Sequence, residues 1–508
     1  MNSPLFTQIK ELDLLKIIYR FAKKRKVRLY LVGGILRDLF LNRDKENIDL
    51  DFCLRRNAIS FGQQLSRELK AGFVVLDKEH GACRLVKKVK DKVHTLDFTD
   101  FRDQTIEKDL LHRDFTINAL ALDLEQIFDK STPLGIGSCI GSLDSLIIDP
   151  YGGKEDLKLK TIRAVNKKGF DEDPLRILRA YSFSAALGFK IEKETLQLIK
   201  LKASKLSEVS SERIRDELFK ILDRPNAFDY LVQMDDLKII KTIIPEIETM
   251  RGLKQGPYHH LDVWRHTLET IKQLEILNVE LKNRQEIKNY LNEAISGERK
   301  RRALLKLGAL FHDIGKPLAL RHEDGKTKFH GHEKIGLEMT QEIAKRLKLS
   351  NDELDALGKM VFWHLRPGYL ADNEEITPRA KFRYFRDTAR EAPSILLISI
   401  ADQRSTRGPL TSKKSRIQHE EVALDLIKEY FRKKKEKPLP RLINGDDLIN
   451  HFKLESSPLI GKVLAELDEL QAIGKINNSK DALREAGKFI QIECLTTKKS
   501  KDKLKKKA

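Results

Sequence analysis

Two aspartates stand two residues apart inside an apolar run, Asn47-Ile-Asp49-Leu-Asp51-Phe52, and this leaves few folds open to the chain around them. Successive side chains of a strand point to opposite faces, so positions i and i+2 share one. Asp49 and Asp51 then project together while Ile48, Leu50 and Phe52 pack behind them. The segment therefore demands a sheet with one buried face and one charged face. Like charges this close repel, and a cation between them relieves the repulsion. Hard Mg²⁺, with carboxylate, water and phosphate ligands, fits that position. Just upstream, Val27-Arg-Leu-Tyr-Leu-Val32 reads as a strand running into Gly33-Gly34 and the helical stretch Ile35-Leu-Arg37-Asp38. Two glycines at such a turn let the backbone approach a ligand, and the amides at the helix start favour an anion such as a triphosphate. Carboxylate-held metals beside a triphosphate suit phosphoryl transfer.

At 508 residues the chain exceeds one hydrophobic core, so several domains are expected. Strand signals are confined to the beginning, where Phe73-Val-Val-Leu76 and His94-Thr-Leu-Asp-Phe98 join the strand before Gly33. After Asp149-Pro-Tyr-Gly-Gly153 helical periodicity dominates, with Ser210-Ser-Glu-Arg-Ile-Arg-Asp-Glu placing serines for capping a helix start. Arg251-Gly-Leu-Lys-Gln-Gly-Pro257 is a breaker-rich boundary that opens a histidine-rich region, with eight of the 13 histidines between His259 and His364. Arg432-Lys-Lys-Lys-Glu-Lys-Pro-Leu-Pro440 reads as an exposed linker, followed by a helical module near Leu442–Ile490 and a basic tail. The divisions are 1–149, 150–250, 251–431, 438–493 and a disordered 494–508.

The formal net charge of +20 favours a polyanionic partner, nucleic acid above all. No apolar run is long enough to span a bilayer, and Met1-Asn-Ser-Pro-Leu-Phe-Thr7 lacks a secretory pattern. Cys53, Cys83, Cys139 and Cys494 form no disulfide framework or zinc knuckle. A reducing cytoplasm is the expected compartment.

Gly33-Gly-Ile-Leu-Arg37-Asp38 followed by Asp49-Leu-Asp51 resembles the head signature of the class II tRNA nucleotidyltransferase and poly(A) polymerase family, within the polymerase-beta-like superfamily. Further motifs follow in order. Asp109-Leu-Leu-His-Arg113-Asp114-Phe-Thr-Ile-Asn118 is similar to the ribose-recognising motif, Asp149–Gly153 to the hinge, and Glu172-Asp173-Pro-Leu-Arg176-Ile-Leu-Arg179 to the base-selecting motif. The resemblance implies an α+β fold: a small mixed-sheet head followed by a long all-α body. It implies a third catalytic acid, best matched by Asp97 and less well by Asp100. It assigns Gly33, Gly34, Arg37, Arg113, Asp114, Asn118, Asp173, Arg176 and Arg179 to the nucleotide, and Mg²⁺ to Asp49 and Asp51. On a helix, Asp173 and Arg176 at i and i+3 would face one way. A carboxylate accepting from an exocyclic amino group, beside a guanidinium donating to a ring nitrogen, admits C and A and rejects U and G. His112 and Ser182 stand where the family commonly has arginine.

Farther along, Phe311-His312-Asp313-Ile-Gly-Lys316, with His266, His332, His364 and Asp402, resembles the HD-domain metal-dependent phosphohydrolases. Such ligands suit Mn²⁺, Ni²⁺, Fe²⁺ or Mg²⁺, with Lys316 set to meet a substrate phosphate. Leu442–Leu448, Ile460–Leu464 and Ala482-Leu483 resemble the helical module that helps hold tRNA in HD-containing members. The expected function is addition of CMP and/or AMP, from CTP and ATP, to the 3′ end of tRNA with release of pyrophosphate. Poly(A) polymerase and a mainly phosphohydrolytic enzyme are the alternatives. Complete CCA, CC-only and A-only addition all remain open, as do the HD substrate and the oligomeric state.

Overall fold

The computed structural model describes residues 13–43, 48–89, 92–128, 143–323, 325–437 and 439–505. Met1–Thr7, Asn47, Cys139, Pro438 and the last three residues of the tail, 506–508, lie outside them. The chain divides into two compact units, Met1–Pro245 and Glu246–Ala508.

The first unit is built on a mixed sheet of β1 (Tyr30–Val32), β2 (Ile48–Leu54), β3 (Gly72–Asp77), β4 (Ala82–Val89), β5 (Lys92–Asp100), β6 (Ala121–Asp123) and β7 (Ile147–Ile148), in the order β3-β4-β5-β2-β1-β6-β7. Only the β2–β5 pair is parallel; the other neighbours in this sheet run antiparallel. The alternation expected around the two aspartates is present: Leu50 and Phe52 are buried, Asp49 is exposed and Asp51 half-buried. The buried face packs on a helix, Ala58–Leu69, where Phe61 meets Phe98. Gly62 of that helix lies so close to β4 that a Cβ would stand 2.4 Å from Cys83 Sγ, so only glycine fits. The opposite face is roofed at its β1/β6 end by a second small core in which Tyr30, Val32 and Cys53 meet Ile106 and Leu110. At its β3/β4 end that face is open, with Val74, Val86 and Val93 exposed.

Beyond residue 150 the unit is almost entirely helical, apart from the short pair Thr161–Ile162 with Lys190–Ile191. The helices used below are α1 (Gly34–Phe40), α2 (Arg176–Leu187) and α3 (Ser211–Leu222). Ser210 occupies the cap position of α3 with an extended backbone, but its side chain makes no capping bond, contrary to expectation.

The second unit is a helical assembly around α7 (Ala392–Ser405), whose residues Ala392–Ala401 are all buried, as suits a helix apolar on every side. Around it lie α4 (Val263–Glu280), α5 (Arg301–Phe311) and α6 (Asn351–Trp363), the last opened by a capping box between Ser350 and Glu353. A small core of its own, including Leu448, Val463, Leu467, Ala482 and Ala486, holds together the module after residue 440. Two expectations need correction. Arg432–Lys435 form the last turn of the helix Lys413–Lys435 rather than a linker, because cations suit the negative end of a helix. The final helix runs Ser479–Lys505, through the tail expected to be disordered, since no glycine or proline interrupts it after Gly487. Among the described residues no helix is long and apolar enough to cross a membrane.

Candidate nucleotide site and candidate metal centre

In the first unit, strand register assembles the carboxylates. Asp51 lies opposite Asp97, and Asp49 opposite Thr95, in the parallel β2–β5 pair. Directly opposed residues share a face, so Asp49, Asp51 and Asp97 line one side of the sheet. Asp100 is used elsewhere: its Oδ1 accepts the Ala58 amide at 2.7 Å. Arg84, which no motif singles out, lies opposite Asp97 on β4. Arg84 donates Nε to Asp97 Oδ1 at 2.8 Å and Nη2 to Oδ2 at 2.7 Å. Three carboxylates on one open face are a hard-oxygen donor set, which fits Mg²⁺.

Gly33 makes the turn beside them. Its φ of +78° is left-handed, and a Cβ there would meet Asp51 Oδ2 and Arg113 Nη1, each at 3.3 Å. Arg113 donates Nη2 to Cys53 Sγ at 3.1 Å. Burial works against its charge, but Cys53, Asp109, Asp51 and Asp114 together raise its pKa. Burial also pushes the Cys53 thiol up to about 11, so it stays neutral. Asp114 accepts from Arg179 Nε and Nη2 at 2.9 and 2.7 Å, from Asn118 Nδ2 at 3.0 Å and from the Phe115 amide at 2.8 Å. Burial alone would raise the Asp114 carboxyl; these donors outweigh it and hold it below its ordinary value. Arg37 is a support. It is buried, pairs with Asp38 and donates Nη1 to Asn118 Oδ1 at 2.7 Å. Phe183, also unforeseen, lies under both Arg37 and Arg179.

Asp173 and Arg176 do not share a helix. Asp173 is extended (φ −146°, ψ 97°) in the break before α2, because Pro174 bars it from helical backbone. Its Oδ1 accepts the Leu175 amide at 3.2 Å, and its Oδ2 accepts Arg213 Nη2, from α3, at 2.8 Å. Arg176 donates Nη2 to the His112 carbonyl at 2.5 Å and lies 3.7 Å from Glu172. Its Nη1 is buried with no hydrogen-bond partner, a costly donor to leave unmatched. Ser182, in a position commonly arginine, hydrogen-bonds Glu217. The three carboxylates, Gly33, Arg84, Arg113, Asp114, Asp173, Arg176 and Arg179 border one cavity of about 1060 Å³.

In the second unit, His266, His312 and Asp402 form one group and Asp313, His332 and His364 another. Asp313 joins them: its Oδ2 is 3.3 Å from His312 Nε2 and its Oδ1 is 3.4 Å from His332 Nε2. His266 Nε2 meets Asp402 Oδ1 at 2.8 Å, and the Nε2 atoms of His332 and His364 are 3.3 Å apart. Three of the rings are aimed by their own helical turns. His312, His332 and His364 bond Nδ1 to the carbonyls of Ala309, Phe329 and Val361 at 2.8, 2.8 and 2.6 Å, which points each Nε2 inward. His312 Nε2 is buried without a partner, and burial beside His312 and His332 pushes His364 down to about 3, keeping it neutral as a ligand must be. Convergent imidazoles and carboxylates fit divalent metal. Lys316, expected to await a phosphate, instead donates to Asp313 Oδ2 and Gln255 Oε1, both at 2.6 Å. It is three residues after Asp313, within reach of that carboxylate. The sequence reading missed His259, whose ring packs edge-on against His266.

Residues 29–163 match the family described as "Poly A polymerase head domain", 188–250 that described as "Probable RNA and SrmB- binding site of polymerase A", and 263–404 the HD domain. The A-adding tRNA nucleotidyltransferase of Deinococcus radiodurans is 30% identical over 460 residues, covering 89% of this chain and 93% of that protein. The CC-adding tRNA nucleotidyltransferase of Thermus thermophilus is 28% identical over 89% of this chain and 91% of that protein. In fold, the chain is similar to the Thermotoga maritima CCA-adding enzyme complexed with tRNA, with a TM-score of 0.60, 24% identity, and coverage of 94% and 95%. With the head, RNA-binding and HD segments in order, and a relative matched along nearly its whole length, the chain belongs to the class II tRNA nucleotidyltransferase and poly(A) polymerase family and is a nucleotidyltransferase.

Proposed function

We propose that this enzyme adds CMP and/or AMP, taken from CTP and ATP, to the 3′ end of tRNA. The placing of Asp173 and Arg176 on the same cavity as the three carboxylates carries this reading. A ring nitrogen of C or A would accept from the Arg176 guanidinium, while Asp173 accepts the amino group; the N–H of U or G offers that guanidinium no acceptor. The turn amides at Gly33-Gly34, with Arg113, receive the triphosphate. Asp114 and Asn118, held by Arg179 and Arg37, meet the ribose hydroxyls. Asp49, Asp51 and Asp97 would hold Mg²⁺, which when bound supplies an acidified 3′-hydroxyl and charge neutralisation for pyrophosphate. Residues 1–149 then act as the catalytic head, 150–250 as a neck that selects the base, 251–431 as the HD domain and 438–493 as a module that grips tRNA. The relatives' names, A-adding and CC-adding, support tRNA over mRNA as substrate and the cytoplasm as the place of work.

The test offers tRNA ending before C74, tRNA ending after C75 and a generic RNA, each with CTP or ATP, and sizes the products. Addition of one to three nucleotides to tRNA is the expected result. Unlimited A-tailing of generic RNA would overturn the tRNA assignment, and no incorporation under Mg²⁺ or Mn²⁺ would overturn nucleotide addition itself. The six-ligand centre supports a second activity, metal-dependent phosphohydrolysis with Mn²⁺, Ni²⁺, Fe²⁺ or Mg²⁺. No metal-dependent phosphate release, by either the native protein or Asp313→Ala, would sink that reading.

A further inference from the structure

The catalytic face has two unlike flanks. One register row crosses it: Val32 on β1, Asp51 on β2, Asp97 on β5, Arg84 on β4 and Val74 on β3. On the β1 flank stand Gly33, Arg113 and Asp114, the groups read above as the nucleotide's, and the face there is roofed. On the β4 flank stands Arg84, and beyond it the face is open and apolar, with Val74 53%, Val86 41% and Val93 42% exposed. These valines share the face of Asp97, whereas Cys83, Leu85, Leu96 and Phe98 fill the opposite one.

An in-line displacement at the α-phosphorus puts the attacking oxygen and the leaving pyrophosphate on opposite sides. With the triphosphate on the β1 flank, the attacking 3′-hydroxyl must arrive from the β4 flank. Arg84 is dressed for that arrival. Its Nε and Nη2 are fixed on Asp97, its Nη1 bonds nothing among the described residues, and its side chain is 44% exposed. We propose that this open flank seats the single-stranded 3′ end of the RNA, with Arg84 Nη1 on its last phosphodiester and Val74, Val86 and Val93 under its terminal riboses and bases. Asp97 thereby does two things: it lines the metal face and it sets the guanidinium that registers the RNA against that face. The open apolar strip is the expected complement of unstacked nucleotides, and its continuity with the catalytic row selects RNA over a protein partner.

This inference rests on nucleotide addition, and the experiment separates the two. Native full-length chain and the variants Val86→Asp and Arg84→Gln are assayed on a tRNA transcript lacking its terminal CCA. KM is measured separately for RNA and for CTP, and the RNA KM is followed across salt. Both variants are expected to raise the RNA KM roughly tenfold or more and leave the CTP KM within about twofold. In Arg84→Gln the plot of log KM against log salt becomes shallower by about 0.7, the loss of one phosphate contact on a single strand. A variant that merely loosened the fold would move both KM values together. RNA KM values within about twofold of native in both variants, with an unchanged salt slope, would overturn the proposal. A native enzyme that extends no RNA would instead overturn nucleotide addition.

Discussion

The two sites use the same side-chain chemistry in opposite states of readiness. In the sheet unit Asp49, Asp51 and Asp97 stand on an open face, and three aspartates of the cavity are held by arginines: Asp97 by Arg84, Asp114 by Arg179 and Asp173 by Arg213. In the helical unit five of the six ligands are buried, three of the rings are turned inward by carbonyls three residues earlier, and among the described residues no arginine pairs with them. Exposed ion pairs are weak and exchangeable, worth about 0–1 kcal/mol. The first site can therefore trade the Arg213 contact of Asp173 for substrate as it fills, whereas the second is organised for an ion before any substrate arrives.

The largest expected effect separates the sites outright. Asp51→Asn should lower nucleotide addition by about 10³-fold or more, while elemental analysis finds the metal of the helical unit unchanged. A loss at both sites would break the contrast. His332→Ala should weaken metal binding in the helical unit by about 100-fold, since even an outer partner is worth 10–100-fold. Nucleotide addition by that variant should stay within about twofold of native, as sites in separate units that share no partner are nearly independent. Dialysis against buffered Mn²⁺ and a nucleotide-incorporation assay check the two halves. Arg213→Ala sharpens the idea of exchangeable pairing. Freed of its guanidinium, Asp173 loses its aim, and competition between CTP and UTP should show preference for C falling roughly tenfold. A uniform drop for both nucleotides would assign Arg213 to structure alone.

The smallest effect concerns acid. Asp114 is held below its ordinary pKa in the folded chain, so its contribution to stability is complete above the ordinary carboxylate range and is lost as pH falls through the lowered value. Urea unfolding between pH 6 and pH 3 should show this loss, and Asp114→Asn should remove about 1 kcal/mol of the pH dependence.

How much of this was legible in the sequence follows from what is local. The Asp49/Asp51 face could be read because strand side chains alternate, and Gly33 because a turn before a helix needs its backbone. Six metal ligands could be read as an ordered set. Arg84 and Arg213 could not, because each reaches its aspartate only through packing: Arg84 through the β4–β5 register, Arg213 through the placing of α3 near the break before α2. Asp173 was misplaced onto a helix, although the following proline was a local signal against it. Arg37 and Lys316, read from the sequence as ligand contacts, also have buried partners inside the protein that only the folded chain reveals.

The parallel pairing of β2 with β5 has a consequence for how activity is acquired. Parallel neighbours cannot be joined by a tight turn, so the helix Ala58–Leu69 and the β3–β4 hairpin must be in place before Asp97 meets Asp51. Contacts that close so long a loop form slowly. During refolding, far-ultraviolet helicity should recover first and nucleotide incorporation last. A nascent chain halted before Lys92 carries both aspartates of the opening motif and no strand to set them beside.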